Sequence, residues 1–445
     1  VSRLAWAAQL PDSWEAKPLR SVADYVVSNV DKVPAENEMP VRLCNYVDVY
    51  NNEFITLALK FMQATATEEE IAKFGLRVDD VAITKDSESW DDIGVPALVR
   101  ETASDLVCGY HLALLRPHKR RMNGAFLFRC LQAKPVRVQL ELAANGVTRF
   151  GIPKSEIGTM TLPVPPLAQQ RAIADYLDRE TARLDALVAA KERVLELLAE
   201  KRQALVTRAV TRGVDAHARF RDSGIPWLGE IPAHWAVLRL KFVVNRIEQG
   251  WSPECYSTPA AEDEWGVLKA GCCNGGVFNP EENKALPPDL DAPAELEVRP
   301  GDVLMSRASG STDLIGSAAL VPVGTRARLL LSDKTYRLWP ISGLLYAPYL
   351  VAVLGSHVGR TQVQQIISGA AGLANNVAQS DIKEFLLPLP TESEQHAILT
   401  HIEAATTRLD SLRAATERTL ALLKERRAAL IAAAVTGQID VESAA

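Results

Sequence analysis

Two stretches of this chain, 225 positions apart, carry matching residues in the same order, identical but for Val164 against Leu389 and Leu177 against Ile402. Leu162-Pro163-Val164-Pro165, then Gln170, Ile173 and Leu177, then Arg183-Leu184-Asp185, make the first. Leu387-Pro388-Leu389-Pro390, then Gln395, Ile398 and Ile402, then Arg408-Leu409-Asp410, make the second. The match runs on to Ala209-Val210-Thr211 against Ala434-Val435-Thr436, and to Asp215 against Asp440. Weaker matches fill the intervening sequence: Leu10-Pro11 with Trp14 against Ile231-Pro232 with Trp235, Asp80-Val81 against Asp302-Val303, Ile93-Gly94 against Ile315-Gly316. Solenoid repeats are roughly 20–50 residues long, so a period this large means a duplicated domain pair. Such a scaffold holds two related surfaces in a fixed relation.

In each copy a proline-punctuated strand leads into a long apolar stripe. Pro165-Pro166 stop the strand and suit a helix start, and the spacing predicts one helix over 167–211. Leu177, Leu184, Leu187, Val188, Leu195, Leu198 and Leu205 recur at three- and four-residue steps, as do Ile402, Leu409, Leu412, Leu420, Leu423 and Leu430. Gly213 and Gly437 follow the two ends, where a C-terminal glycine belongs. A rod that long with one apolar side needs another helix to cover it. The other copy is the obvious mate, as an antiparallel coiled coil. Two independent surface helices are the plainer alternative.

The fold class expected is therefore α+β. Two similar globular α/β domains, over 1–155 and 216–380, alternate with helical segments over 156–215 and 381–445, and the whole has an internal pseudo-two-fold. Strands are expected at 41–49, 81–84, 97–100 and 107–115 in the first domain. In the second they are expected at 266–270, 303–306, 318–321 and 335–339. Loops at 251–264 and 279–294 are long enough to be functional or mobile.

The formal net charge of −6 excludes a generic nucleic-acid coat. Any DNA contact has to come from positive charge clustered on one face, or from partners. Arg116, Lys119, Arg120 and Arg121 form the densest basic cluster and suit phosphate contacts, although a solvated basic loop would look the same. Ser306 and Arg307 end a strand beside small residues, and an arginine so placed can reach guanine. Ser368-Gly369-Ala370-Ala371-Gly372 leads into Asn375, Asn376 and Gln379, side chains that pair well with adenine. Asn145-Gly146-Val147 with Thr148 and Arg149 reads as the counterpart in the first copy. Asn and Gly are also ordinary turn residues.

Catalytic signatures are missing. The chain has no phosphate-binding loop of the G-x-x-x-x-G-K-[ST] kind and no G-x-S-x-G elbow. Pro11-Asp12 with Glu15-Ala16-Lys17 imitates a nuclease motif, but its carboxylates are too close in sequence. The second copy has Pro232-Ala233 and Ala236-Val237-Leu238 instead, and what it shares beyond the proline is Trp235, the equivalent of Trp14, which points to packing. Cys44, Cys108, Cys130, Cys255, Cys272 and Cys273 contain no C-x-x-C pair. Reduced thiols and no bound metal are expected. No apolar run approaches the roughly 18–20 residues that span a bilayer, so a cytoplasmic location and no membrane partner are expected.

Asp222-Ser223-Gly224-Ile225-Pro226-Trp227-Leu228-Gly229-Glu230-Ile231-Pro232-Ala233-His234-Trp235 closely resembles the linker that opens the second half of type I restriction–modification specificity subunits. Leu162-Pro163-Val164-Pro165 with Gln170 resembles that family's central conserved region, and Leu387-Pro388-Leu389-Pro390 with Glu394-Gln395 its distal one. The resemblance implies a non-catalytic subunit with two target recognition domains reading a bipartite, asymmetric sequence in double-stranded DNA. It implies docking of two methyltransferase subunits and two ATP-dependent restriction (motor–nuclease) subunits. S-adenosylmethionine, ATP and Mg would be used by those partners, with no cofactor in this chain. The rival classes are a self-sufficient fused methyltransferase or nuclease, and a coiled-coil adaptor that never meets DNA.

Overall fold

The computed structural model describes residues 4–367 and 375–441. They fall into two compact units, divided between residues 192 and 193 and between 416 and 417, the first holding both ends of the described chain. In the first unit β1 (Glu15–Pro18) pairs antiparallel with β12 (Thr161–Val164). A five-stranded sheet has the order β2 (Ala23–Val27), β10 (Leu112–Pro117), β6 (Val81–Thr84), β8 (Pro96–Val99), β4 (Phe54–Ile55). A three-stranded sheet has the order β5 (Met62–Ala66), β3 (Met39–Cys44), β9 (Leu106–Cys108), and β7 (Asp86–Ser87) pairs with β11 (Phe150–Gly151). Helices α1 (Tyr46–Tyr50), α2 (Glu68–Phe74), α3 (Gly124–Gln132), α4 (Lys134–Ala143) and α5 (Lys154–Thr159) join them, and α6 (Leu167–Arg212) begins here.

The sheet is buried on both faces, and the period of two sorts its side chains. Val81, Ile83, Ala113 and Leu115 face a core with Phe126 and Leu127 of α3, Ile173 and Leu177 of α6, and Ile431, Ala434 and Val435. Ala82, Leu112 and Leu114, one step out of phase, face Val41, Leu43 and Val107 of the smaller sheet.

The second unit repeats this plan. Its main sheet has the order β16 (Val244–Gln249), β23 (Thr335–Pro340), β19 (Val303–Ser306), β21 (Ala318–Leu320), and a smaller one β18 (Asn283–Ala285), β17 (Gly266–Leu268), β22 (Leu329–Leu330). Three strand pairs complete it: β13 (Phe220–Asp222) with β14 (Glu230–Pro232), β15 (Ala236–Arg239) with β25 (Leu386–Leu389), and β20 (Ala308–Ser309) with β24 (Asn375–Asn376). Helices α7 (Ala347–Gly355), α8 (His357–Ile366) and α9 (Gln379–Lys383) precede α10 (Glu392–Val435). Val303, Met305 and Leu338 pack with Tyr349 and Leu350 of α7 and with Ala209 and Val210, whereas Leu304 packs with Leu329 and Leu268. The loops agree too: Gly94 and Gly316 take left-handed φ of 71° and 70°, and their N–H groups donate to the carbonyls of Thr84 and Ser306.

Each unit holds the first part of one long helix beside the last part of the other. In the first unit Arg427 pairs with Asp185 at 2.8 Å and Lys424 with Glu192 at 3.5 Å, so the helices there run antiparallel. In the second, Arg202 pairs with Asp410 at 3.1 Å, the same contact displaced by 225 in both partners. Leu177, Leu184, Leu409 and Leu420 are buried, and Leu195, Leu198, Leu205, Ile402, Leu423 and Leu430 are half-buried. Leu187 and Leu412 are not seam residues: they are 43% and 47% exposed. The seam runs in steps of four and three through Leu177, Thr181, Leu184 and Val188, resumes one heptad on at Leu195 and Leu198, and residue 187 lies one position off it.

A buried glutamine fixes each globular domain to its helix. Gln170 accepts from the Asn123 N–H at 2.8 Å and donates to the carbonyls of Arg121 (2.9 Å) and Pro165 (2.8 Å). Gln395 accepts from the Tyr346 N–H at 2.8 Å and donates to Leu344 (2.9 Å) and Pro390 (3.1 Å). The Trp14 indole donates to Gln169 at 3.0 Å, and that of Trp235 to Glu394 at 3.1 Å.

Several sequence-based boundaries shift. The strand expected over 41–49 ends at Cys44, where Asn45 and Asp48 form a capping box for α1. The strand expected over 107–115 is two strands, broken at Gly109-Tyr110-His111, with His111 in the left-handed region at φ 69°. The long helix expected over 167–211 is α6, Leu167–Arg212, and α5 and β12 occupy 154–164 ahead of it. The 251–264 loop is pinned by the Arg326 guanidinium, which donates to the carbonyls of Ala260 (3.0 Å) and Ala261 (2.7 Å).

Candidate nucleic-acid interface

The sequence-predicted DNA contacts fall at two opposite ends of the sheets. Leu112 is paired with Thr84, so the exit of β6 and the entry of β10 share one end. There, in the first unit, the Lys85 N–H donates to the His111 carbonyl at 2.8 Å and the Ile152 N–H to the Lys85 carbonyl at 2.9 Å. Side chains continue the network. Lys85 Nζ reaches Asp86 Oδ1 at 2.8 Å, His111 Nδ1 reaches Asp86 Oδ2 at 2.5 Å, and Arg149 Nη2 meets His111 Nε2 at 3.2 Å. Burial pushes the Asp86 carboxyl up, but the hydrogen bonds from Lys85 and His111 outweigh it, so Asp86 stays below the usual carboxylate range. α1 adds Tyr46 and Tyr50, stacked with centroids 5.5 Å apart, and Tyr46 feels both Ser87 and Arg149. Thr148 and Arg149 are exposed.

The second unit builds the same end with other residues. The Arg307 N–H donates to the Lys334 carbonyl at 2.8 Å and the Val377 N–H to the Arg307 carbonyl at 3.0 Å. Lys85 therefore corresponds to Arg307, His111 to Lys334, and Ile152 to Val377. Arg307 Nη1 donates to the Asp333 carbonyl at 3.1 Å. Burial raises the Asp333 carboxyl, yet hydrogen bonds from Ser252 and Lys334 bring it net below its ordinary value. Asn375 and Asn376 are half-buried and paired through β24 with Ser309 and Ala308.

This register corrects the expected counterpart. Asn375 and Asn376 match Phe150 and Gly151, not Asn145 and Gly146, because the same strand-end partners receive them. Ser306 is fully buried and its hydroxyl donates to the Ala308 carbonyl at 3.3 Å, so it presents nothing to DNA here. The Gln379 amide is committed to the Ile247 carbonyl. The segment Ser368-Gly369-Ala370-Ala371-Gly372 lies outside the described residues.

The basic cluster occupies the other end, a β10 length away, about 17 Å at about 3.4 Å per residue. Arg116 is held there by the buried Asp80, through Nε at 3.0 Å and Nη2 at 2.8 Å, and by the Gly75 carbonyl at 2.9 Å. It secures the fold, as Arg337 does for the equivalent Asp302 at 3.0 Å. Lys119 and Arg120 are exposed, and Arg121 donates to the Ser21 carbonyl at 3.1 Å. Beside them is a cleft of about 390 Å³ lined by Arg77, Lys119, Arg171 and the Gly124 end of α3. The second unit has Ser342, Gly343 and Leu344 where the first has Lys119, Arg120 and Arg121.

Sequence reasoning missed Lys85, Asp86 and His111. The repeat held a signal for Lys85, since it stands 222 positions before Arg307, the spacing of Asp80 to Asp302. Nothing marked His111, whose role comes from a strand break. Among the described residues no group of three or more His, Cys, Asp or Glu side chains is placed to hold a metal, and no helix is long and apolar enough to cross a membrane. Of the nuclease-like letters, Lys17 and Glu15 pair with each other.

No family model matches the chain. It is 32% identical over 175 residues to the type I restriction enzyme EcoEI specificity subunit of Escherichia coli, covering 39% of this chain and 29% of that protein. The match to the EcoKI specificity subunit of Escherichia coli strain K12 is 22% over 447 residues, covering 98% of this chain and 91% of that protein. Among solved structures, a chain from work on complex assembly and conformational transition of the type I R-M system superposes with a TM-score of 0.61 at 20% identity, covering 97% of this chain and 99% of that one. That likeness establishes the fold, two α/β domains with two long helices.

Proposed function

We propose that this chain, related along nearly its whole length to type I restriction enzyme specificity subunits, is the subunit that reads DNA for such a complex. The observation that carries the reading is that relation together with the repeated scaffold, which fits two half-targets separated by unread bases. The chain supplies recognition and no catalysis. Methyl transfer from S-adenosylmethionine and ATP- and Mg-dependent translocation and cleavage belong to two methyltransferase and two restriction subunits. Lys119, Arg120 and Arg121 suit phosphate contacts. Arg149, Arg307, Asn375 and Asn376, at the matched ends of the two sheets, suit base contacts. The exposed helix face at Leu187, Val194 and Leu197, matched on α10 by Leu412 and Leu422, suits docking of the methyltransferase subunits.

The test is to express the chain with its methyltransferase partner in a host lacking other modification and to map methylated bases across the genome. Methylation of one bipartite, asymmetric sequence is the expected outcome. Methylation of a continuous sequence, or a methylation pattern that does not depend on this chain, would remove the reading.

A further inference from the structure

We propose that Arg149 reads one base pair of the half-target assigned to the first unit, that the Asp86–His111 pair aims it, and that guanine is the base it selects. The inference rests on the DNA-reading role above and names the residues that would perform it. The chemistry begins at Asp86. One carboxylate oxygen takes the Lys85 ammonium at 2.8 Å and the other faces His111 Nδ1 at 2.5 Å. A guanidinium has donors only, so the ring nitrogen it meets, Nε2, is the acceptor of the pair, and Nδ1 carries the ring N–H toward Asp86. The Nε2 lone pair accepts from Arg149 Nη2 at 3.2 Å. His111 is thus fixed in one tautomer and holds one edge of the guanidinium. The remaining N–H groups of the exposed Arg149 are left to meet the O6 and N7 acceptors of a guanine edge, a bidentate geometry that suits arginine. The stacked Tyr46 and Tyr50 flank this place.

The two copies separate this role from a structural one. Groups that hold the scaffold recur: Gln170 as Gln395, Trp14 as Trp235, Asp80 as Asp302. The backbone at the β6 exit recurs as well, since the Lys85-to-His111 and Arg307-to-Lys334 bonds are both 2.8 Å. The side chains there do not recur. Lys85, Asp86 and His111 stand where the second unit has Arg307, Ala308 and Lys334. A fold-holding triad would have been kept with the fold, whereas two domains reading unequal half-targets need different donors on the same frame. His111 also takes a left-handed backbone at φ 69°, a conformation uncommon in residues with a β-carbon and frequent at functional sites.

The experiment uses the full chain in complex with its methyltransferase partner, as wild type, Arg149→Ala, Arg149→Lys, His111→Asn and Arg307→Ala. Methylated sites are mapped and thermal unfolding is recorded for each. Arg149→Ala should relax preference at one position of one half-target by roughly ten- to hundredfold, with unfolding unchanged because the side chain is exposed. Arg149→Lys should lose the same preference although it keeps the charge, and His111→Asn should weaken it at that same position. Arg307→Ala should alter only the other half-target. Unaltered preference in Arg149→Ala and Arg149→Lys would overturn the proposal, as would a uniform loss of methylation across all sequences in Arg149→Ala. If the wild-type complex methylated no bipartite sequence, the DNA-reading role itself would fall, and this proposal with it.

Discussion

Gln170 and Gln395 show how much one side chain can settle. Both are fully buried, and each satisfies one N–H and two carbonyls where a globular domain meets its helix. Replacing Gln170 with Leu would strand all three groups away from water. A buried group left unsatisfied costs about 1–3 kcal/mol. Gln170→Leu should therefore destabilise the first unit by about 2–4 kcal/mol, measured by chemical denaturation, with hydrogen exchange accelerating first at residues 121–124. An unchanged midpoint would mean that water can replace the clamp. Glu394 gives a pH-dependent case. Burial pushes its carboxyl up, but hydrogen bonds from the Thr391 hydroxyl, His234 and the Trp235 indole win, and its pKa falls to about 2 from an ordinary 4.5. Because the folded value is depressed, its stabilisation is fully present above about pH 4.5 and is lost as pH falls toward about 2. The first unit uses the neutral Gln169 at the same place, so Glu394→Gln should fold normally. Its melting temperature should lie slightly below wild type at pH 7, and the gap should close on acidification; a gap that widened in acid would contradict this. Gln170 and Glu394 were visible in the sequence as motif letters. What they bind was not, because their partners lie at residues 121–123 and 234–235, brought near only by the finished fold.

At the scale of the element, the long helices were legible and their faces only partly so. Leucine spacing gives the period, but it hides polar residues that belong to the seam. Thr181 is buried because its hydroxyl donates to the Leu177 carbonyl one turn back at 2.6 Å, a bond that lets a polar side chain occupy an apolar position. With threonine passed over, a three-residue step from Leu184 lands on Leu187, which faces water. The difference is measurable. Leu184→Ala and Leu409→Ala, at 5% and 8% exposure, should each cost about 2–4 kcal/mol. Leu187→Ala and Leu412→Ala should each change stability by less than about 0.5 kcal/mol. Leu187→Glu with Leu197→Glu should leave the isolated chain equally stable yet weaken its sedimentation as a complex with the methyltransferase subunit. Equal losses of stability at Leu184 and Leu187 would place both on the seam. The strands follow the same logic. The 81–84 run, three apolar residues and a threonine, was readable, whereas the break at Gly109-Tyr110-His111 was not, since 107–115 is apolar enough to read as one strand.

For the whole molecule, the duplication makes a prediction about a half. The first unit is completed by the end of α10: Ile431, Ala434 and Val435 enter its core, and Arg427 bonds Asp185 at 2.8 Å. The end of α6 carries the same set 225 residues earlier, as Val206, Ala209, Val210 and Arg202. In the second unit those residues do the same work, with Ala209 and Val210 in the core and Arg202 on Asp410 at 3.1 Å. A fragment of residues 1–220 lacks the α10 end but owns a copy of it. Two fragments can each lend the end of α6 to the other, so that Arg202 of one meets Asp185 of its mate. The closed arrangement is a two-fold dimer, with the same donors presented twice. In complex with the methyltransferase partner its target should be an interrupted palindrome built from one half of the intact protein's sequence. Light scattering should give twice the fragment mass, and Arg202→Glu should shift it toward monomer while Arg202→Glu with Asp185→Arg restores the dimer. A fragment that stayed monomeric, or methylated a sequence without two-fold symmetry, would show that the α6 and α10 ends are no longer interchangeable. Packing permits the exchange because the divergent end of the sheet, with Lys85, Asp86, His111 and Arg149 against Arg307, Ala308 and Lys334, lies outside the set that closes each unit around its helices.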